Sequence, residues 1–216
     1  MISVQRLRFA YPNGECALSV DDFSVLAGES VGIAGPSGIG KTTFLRLLAG
    51  LLVPHEGEVS LDSQAHSTLP ESARRKVRLH RCGLVFQDFE LLDYLTVEDN
   101  VLLPMRLAGA LDKSIRQRAR ELIEALDLAQ HWQRLTSELS QGERQRVAVA
   151  RALVHEPQIV LADEPTSSLD LKRKHLVMDL LADYAKARKA ALVFISHDVE
   201  LFRCVDRVVN VEDWKT

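Results

Sequence analysis

Residues 35–43, with the sequence GPSGIGKTT, have the types and spacing of a phosphate-binding loop. The glycines let backbone N–H groups converge on phosphate oxygens, because no Cβ stands in the way. Lys41 adds a positive charge for the β- and γ-phosphates of a nucleotide, and the Thr42 hydroxyl is placed for Mg²⁺. The loop follows an apolar strand and opens a helix, whose positive N-terminal end favours the same anion. The residues predicted to bind the nucleotide here are Gly35, Ser37, Gly38, Ile39, Gly40, Lys41, Thr42 and Thr43.

A pair of acidic residues ends the apolar strand IVLAD at residues 159–163. Asp163 is placed to hold Mg²⁺ through water. Glu164 is the candidate that orients or deprotonates an attacking water molecule. Two acids at a strand end are usually just solvated, but beside a phosphate loop they predict hydrolysis of the bound nucleotide.

The octet LSQGERQR, residues 139–146, precedes the apolar run VAVARALV. Ser140 and Glu143 have the spacing of a capping box, in which each side chain serves the other residue's backbone N–H. The octet therefore predicts the start of a helix. Because a helix N-terminus attracts anions, the same octet is also a candidate phosphate site.

Strands and helices alternate along much of the chain, which predicts a mainly parallel α/β sheet. Short strands are predicted within 2–35 and at 83–87, 159–163, 191–196 and 207–211, with helices at 41–52 and 171–189. Residues 96–155 carry helical signals throughout, with Thr96 as a predicted cap. The basic segment ARRKVRLHR at 73–81 is predicted to be a solvated helix face.

Composition excludes several classes of protein. The net charge is −3 over 216 residues, which gives no electrostatic footprint for nucleic acid. Three widely spaced cysteines, Cys16, Cys82 and Cys204, predict reduced, buried thiols rather than a disulfide framework. The N-terminus is too charged for a signal peptide. No stretch approaches the roughly 20 apolar residues of a membrane span, so any spans must come from another chain.

A phosphate loop, then LSQGE, then LADEP in this order resembles the ATPase subunits of ATP-binding cassette (ABC) proteins, and the resemblance covers essentially the whole chain. It implies that Tyr11 stacks on adenine. It implies that Gln87, which closes GLVFQ, senses Mg²⁺ and the membrane partner. SSLD at 167–170 resembles the D-loop of the family, and His197 in ISHD resembles the switch histidine that contacts the γ-phosphate.

The resemblance implies that the octet LSQGERQR contacts the ATP of a second subunit. Ser140, Gln141 and Gly142 correspond to the signature motif, which in the family faces the ATP of a second subunit in a head-to-tail dimer. The octet departs from the usual LSGGQ at Gln141 and Glu143. The two positions that matter most are kept, since the Ser140 hydroxyl donates to phosphate and Gly142 allows close approach. A working signature is therefore expected.

The resemblance implies an α/β fold with a P-loop NTPase core, an N-terminal antiparallel β subdomain and an inserted α-helical subdomain. The expected single domain divides into a core of residues 1–87 and 157–216 and a helical subdomain of residues 88–156. ATP and Mg²⁺ are the expected cofactors, with Thr42, Gln87 and Asp163 at the metal.

The implied function is ATP hydrolysis that drives a separate transmembrane permease, with the chain on the inner face of the cytoplasmic membrane. Several stretches are similar to the bacterial ATPases of lipoprotein-release, cell-division and macrolide-efflux systems. The alternative is a regulatory subunit whose ATP-driven dimerisation gates a membrane partner without moving substrate. A soluble ABC ATPase acting on DNA or the ribosome is disfavoured, since those usually carry two cassettes or long insertions.

Overall fold

The computed structural model describes residues 1–12 and 17–214. The strands are β1 (Ile2–Ala10), β2 (Ala17–Val25), β3 (Ser30–Ala34), β4 (Glu56–Leu61), β5 (Gln64–Ala65), β6 (Cys82–Val85), β7 (Ile159–Asp163), β8 (Ala191–Ile195) and β9 (Arg207–Asn210). The α-helices are α1 (Lys41–Leu48), α2 (Glu71–Arg81), α3 (Val97–Leu107), α4 (Lys113–Ala125), α5 (Gln141–Leu153) and α6 (Leu171–Arg188). Short 3₁₀ turns cover Ala129–His131, Thr136–Glu138, Val199–Cys204 and Val211–Asp213.

Five strands form a parallel sheet in the order β6-β7-β8-β3-β9 within the described residues. Every residue of β7 and β8 is buried, as expected for central strands covered on both faces. The carboxyl ends of β3, β7 and β8 meet at one edge, where open α/β sheets bind their ligands. The predicted phosphate loop, acidic pair and histidine all follow these three strand ends. The predicted α/β class is confirmed.

A second sheet is antiparallel, in the order β2-β1-β4-β5. Its inward side chains, including Val4, Val20 and Val59, share a core with α1 and with one face of the parallel sheet. The opposite face of the parallel sheet shares a core with α3, α4, α5 and α6. Helices α3 to α5 lie between β6 and β7 along the chain, where the sequence predicts the inserted helical part; its bounds at residues 88 and 156 stay a prediction.

Two predicted elements were too long. Helix α1 ends at Leu48 instead of Leu52, because Gly50 adopts φ 65° and its α-carbon faces the His66 ring, where a Cβ would lie 2.2 Å from Nε2. Strand β6 stops at Val85, where its pairing with β7 ends at Ala162. Gln87 therefore lies in the following loop and does not close the strand. The stretch 96–155 is also interrupted by turns between α4 and α5.

The basic segment of α2 is only partly solvated. Arg74 and Arg78 keep 13% and 14% of their side-chain surface exposed, because both bind Glu71 and donate to backbone carbonyls of neighbouring loops. The prediction of a solvated face is therefore wrong for these two arginines. Cys82 is buried and Cys204 is half-buried, and both are free thiols, while Cys16 lies outside the described residues. Within residues 1–12 and 17–214, no helix combines the length and apolar character that crossing a membrane needs.

Candidate nucleotide-binding site

The phosphate loop connects β3 to α1 with the geometry that its glycines allow. Gly38 and Gly40 have φ angles of 81° and 103°, in the left-handed region that favours glycine. Gly40 is also the N-cap of α1, and no described side chain caps this helix. The first N–H groups of α1 therefore point toward the loop without a side-chain acceptor, as an anion site requires.

Lys41 is held inside the loop that it closes. Its side chain is 6% exposed, and its Nζ donates to the carbonyl oxygens of Gly35 and Pro36 at 2.7 Å each. Burial lowers the pKa of Lys41, while the carboxylates of Glu164 and Asp163 act in the opposite direction. The ammonium group thus faces two acids across the space where phosphates would lie.

A cavity of about 330 Å³ joins the ends of β3, β7 and β8. Its walls include the predicted residues Ser37, Gly38, Gly40, Lys41, Thr42, Thr43, Gln87, Asp163, Glu164 and His197. Tyr11 lies beside the cavity, with its hydroxyl 3.4 Å from Thr43 Oγ1. Ile39 is half-buried against the core below the loop. One cavity therefore brings together most of the site residues predicted from separate motifs.

The two acids differ in their surroundings. Asp163 is 5% exposed, and burial raises its pKa, while a hydrogen bond with Thr42 acts the other way. Burial also raises the pKa of Glu164, opposed chiefly by the nearby His197. Glu164 Oε1 is buried, lies 3.6 Å from His197 Nε2 and has no hydrogen-bond partner among the described residues. A carboxylate that lines the cavity and has a raised pKa is suited to accept a proton from water.

His197 reaches the cavity from the loop after β8. Its side chain keeps 53% of its surface exposed, and its Nε2 lies 3.3 Å from Ser37 Oγ in the phosphate loop. The histidine therefore contacts both the loop that is predicted to hold phosphate and the carboxylate that is predicted to activate water.

The signature residues line a different cavity, of about 380 Å³, whose walls include Ser140, Gln141 and Gly142. The predicted capping box is present: the Ser140 N–H donates to Glu143 Oε2 at 2.8 Å, and the Glu143 N–H donates to Ser140 Oγ at 3.4 Å. The Ser140 hydroxyl donates to the same carboxylate at 2.7 Å. A Cβ on Gly142 would lie 3.1 Å from the Ser168 carbonyl oxygen, so the start of α5 packs tightly on the loop 167–170.

Two polar residues of α5 were missed by the sequence analysis. Gln145 is fully buried and hydrogen-bonds to the loop that follows β7. Arg151 donates to the carbonyl oxygens of Phe89 and Glu90, and burial lowers its pKa to about 10. Phe89 and Glu90 both have left-handed φ angles, of 63° and 50°. Arg151 carries a signal in the sequence, because it is the one charge within the apolar run VAVARALV, whereas Gln145 stands among other polar residues and carries none.

A parallel sheet with a glycine loop, a lysine, two acids and a histidine at its carboxyl edge defines a P-loop ATPase. The sequence profile of the family described as ABC transporter matches residues 18–167. The chain belongs to the ABC transporter family, and is an ATP-binding subunit that hydrolyses ATP.

Relatives and solved structures extend this match over nearly the whole chain. The lipoprotein-releasing system ATP-binding protein LolD of Xylella fastidiosa is 41% identical over 98% of this chain and 89% of its own length. The uncharacterized ABC transporter ATP-binding protein YvcR of Bacillus subtilis is 41% identical over 91% of this chain and 76% of its own. The cassette MJ0796, solved as a dimer bound to ADP and Pi, superposes with a TM-score of 0.90 and 34% identity, covering 97% of this chain and 94% of that one.

Proposed function

We propose that this chain hydrolyses Mg²⁺-ATP in a two-subunit sandwich and transmits the resulting movement to a separate membrane permease. The observation that carries the proposal is the separation of the two cavities. Phosphate loop, acidic pair and His197 share one cavity, whereas the signature residues 140–142 line another; the cavity that Gln141 shares with Gln87 includes no residue of the phosphate loop. A signature that does not face its own phosphate loop needs a second copy of the chain to supply the ATP. The cassette MJ0796 has been solved as a dimer, which supports this arrangement.

The residues at the β7 edge fit a magnesium ion. Thr42, Asp163 and Gln87 offer a hydroxyl, a carboxylate and an amide oxygen, and Mg²⁺ prefers oxygen ligands. No group of three His, Cys, Asp or Glu side chains that could hold a metal ion occurs in the described part of the chain. This fits an ion with Asp163 as its one carboxylate ligand, which completes its shell with neutral oxygens, phosphate and water. When bound, the ion neutralises charge that develops on the transferred phosphate.

Each residue then has a defined role at the ATP. Lys41 and the loop N–H groups hold the β- and γ-phosphates, and His197 contacts the γ-phosphate from beside Ser37 of the phosphate loop. Glu164 accepts a proton from the attacking water through its carboxylate. Tyr11, held at Thr43, supplies a ring for the adenine.

Replacement of Lys41 by alanine is expected to lower ATP affinity about 10- to 100-fold. Its ammonium makes charge-assisted hydrogen bonds with phosphate, and such bonds contribute about 1.5–3 kcal/mol each. Titration with a fluorescent ATP analogue measures the change, with circular dichroism as the check on folding. The control is Lys113→Ala at the exposed start of α4, which should bind like the wild type. If folded Lys41→Ala binds ATP as tightly as the wild type, Lys41 does not contribute to ATP binding.

The permease is proposed to dock in a groove beside the nucleotide cavity, between α2, β6, α3 and α5. The groove has a volume of about 350 Å³. Its walls combine apolar residues such as Leu79, Phe86 and Leu107 with the exposed Arg75. Such a surface suits an amphipathic cytoplasmic segment that carries acidic side chains.

The loop beside the groove separates core from contact residues. Phe89 and Leu91 are 8% and 9% exposed and belong to the core, whereas Tyr94 is 73% exposed. An exposed aromatic ring four residues after Glu90, which lines the groove, favours an interface. The docking surface is therefore defined as the groove together with residues 88, 90, 93 and 94, which are exposed.

Cysteines placed at positions 88, 90, 93 or 94 are expected to cross-link to a cytoplasmic loop of the permease in membranes. Cys16 and Cys204 are first replaced by serine. Cys82 stays, because burial raises its pKa to about 12 and keeps the thiol unreactive. The matched control is Leu26→Cys, an exposed apolar position outside the groove, which should give no adduct. An active complex in which none of the four positions cross-links would rule out this surface.

The complex is proposed to sit at the cytoplasmic membrane, with this chain on its inner face. Because the LolD relatives are named for a lipoprotein-releasing system, a lipoprotein is the first substrate to test. Movement of a lipoprotein out of reconstituted vesicles, dependent on ATP, distinguishes a transporter from a regulatory subunit that only gates its partner.

A further inference from the structure

Gln145 joins the signature helix to the residue that is proposed to activate water. Its side chain is 0% exposed and lies on α5, five residues after Ser140. Its Nε2 donates to the backbone carbonyl of Glu164 at 2.7 Å, and its Oε1 accepts the Ser168 N–H at 3.0 Å. The opposite amide orientation would face donor to donor and acceptor to acceptor, so these two bonds fix the side chain.

The Glu164 backbone needs such support. Its φ of 49° lies in the left-handed region, which is uncommon for any residue except glycine and persists only when the surroundings impose it. The Glu164 N–H donates to Ile195 O at 3.1 Å, while its carbonyl accepts from Gln145 and from the Ser167 N–H at 3.2 Å. Of these three partners, only Gln145 reaches Glu164 from the helical part of the chain.

The same helix also touches the loop after Glu164 at its first turn. Gly142 packs against the Ser168 carbonyl, and Gln145 binds the Ser168 N–H one turn later. The start of α5 and the loop 164–168 therefore form one hydrogen-bonded unit. Movement of the signature cannot leave Glu164 unchanged unless the Gln145 bonds break.

We infer that Gln145 is a positioning residue for ATP hydrolysis: it holds the Glu164 backbone so that the carboxylate faces the attacking water, and it does so from the helix that carries the signature. This rests on the proposed sandwich and on the proposed role of Glu164. In that sandwich, the signature of a subunit contacts its partner's ATP, while Glu164 serves the subunit's own ATP. Gln145 thereby connects the two sites, so that hydrolysis responds to occupancy of the neighbouring site.

The variant Gln145→Met tests this, because methionine keeps the length and volume while removing all hydrogen bonds of the amide, including a 3.4 Å bond from Nε2 to Ser167 Oγ. We expect kcat to fall 10- to 50-fold, while KM for ATP and the affinity for a fluorescent ATP analogue stay within threefold. Tyr184→Phe is the matched control. It removes a 2.8 Å side-chain bond to the Pro157 carbonyl at a place that does not line the nucleotide cavity, and its kcat should stay within twofold. Should Gln145→Met fail to fold, Gln145→Asn shortens the side chain by one methylene and serves the same test.

A double-mutant cycle shows whether Gln145 acts through Glu164. In the Glu164→Gln background, Gln145→Met should lower the residual turnover less than threefold, because the carboxylate that it positions is already absent. The inference would be overturned if the double variant showed the full product of the two single reductions in kcat. Wild-type kcat in folded Gln145→Met would also overturn it, as would a fall in kcat accompanied by an equal loss of ATP affinity. Failure of the proposed function looks different, since Glu164→Gln alone would then retain its turnover.

Discussion

Replacement of Glu164 by glutamine is expected to lower kcat for ATP about a thousandfold and to leave ATP binding intact. Glutamine keeps the size of the side chain but cannot accept a proton from water, and a positioned general base contributes about 10²–10⁴-fold. The phosphate loop and Asp163 are untouched, so the nucleotide should bind as before. Steady-state phosphate release and titration with a fluorescent ATP analogue measure the two properties separately.

The chain offers a close control for this substitution. Glu156 is also half-buried and left-handed, with φ 54° against 49° for Glu164, but it binds Arg118 and Arg188 away from the nucleotide cavity. Glu156→Gln should keep kcat within twofold. If Glu164→Gln turns over ATP like the wild type, another group activates the water.

A pH profile gives a second readout of the same carboxylate. Burial raises the pKa of Glu164 above its ordinary value of 4.5. As the pH falls through the raised value, the carboxyl takes up a proton and can no longer accept one from water. Wild-type kcat should therefore decline on the acid side at a higher pH than an exposed glutamate would give, and the residual kcat of Glu164→Gln should lack this limb.

Local rules explain the parts of the site that the sequence predicts well. The phosphate loop, the Thr96 cap and the Ser140 capping box depend on residues only a few positions apart; the loop turns between β3 and α1 as predicted, and the two caps have their expected partners. Strand β7 ends at Asp163 because its apolar residues are followed there by acidic ones. Such features need no knowledge of the rest of the chain, because the interacting groups are neighbours along it.

Contacts between distant segments explain what the sequence could not predict. Glu164, with its left-handed φ, accepts a hydrogen bond from Gln145, which lies 19 residues earlier on another element. The left-handed pair Phe89 and Glu90 accepts hydrogen bonds from Arg151, some 60 residues later. Gln87 was placed in a strand because its neighbours are apolar, yet pairing with β7 ends two residues earlier. None of these partners can be identified until the sheet and α5 are assembled.

Replacement of Gly142 by aspartate is expected to abolish ATP-driven dimerisation while monomers still bind ATP. The new carboxylate would stand at the start of α5, facing the γ-phosphate of the partner's ATP in the proposed sandwich. Two like charges at 4 Å repel by about 4 kcal/mol at an effective dielectric constant near 20, which weakens the dimer roughly a thousandfold. The phosphate loop that holds the monomer's own ATP lines another cavity and should be unaffected.

The background for this test is Glu164→Gln, in which hydrolysis cannot dissolve the dimer. Size exclusion with ATP should show a dimer for the parent and a monomer for the double variant, with ATP binding measured on both. Gly142→Ala adds the Cβ that lies 3.1 Å from the Ser168 carbonyl, and Gly142→Asn adds the bulk of aspartate without its charge. Alanine and asparagine report crowding, so a dimer that survives them and fails with aspartate assigns the effect to charge beside phosphate. Loss of ATP binding by a folded Gly142→Asp monomer would instead place the signature at its own subunit's nucleotide, and the sandwich would have to be abandoned.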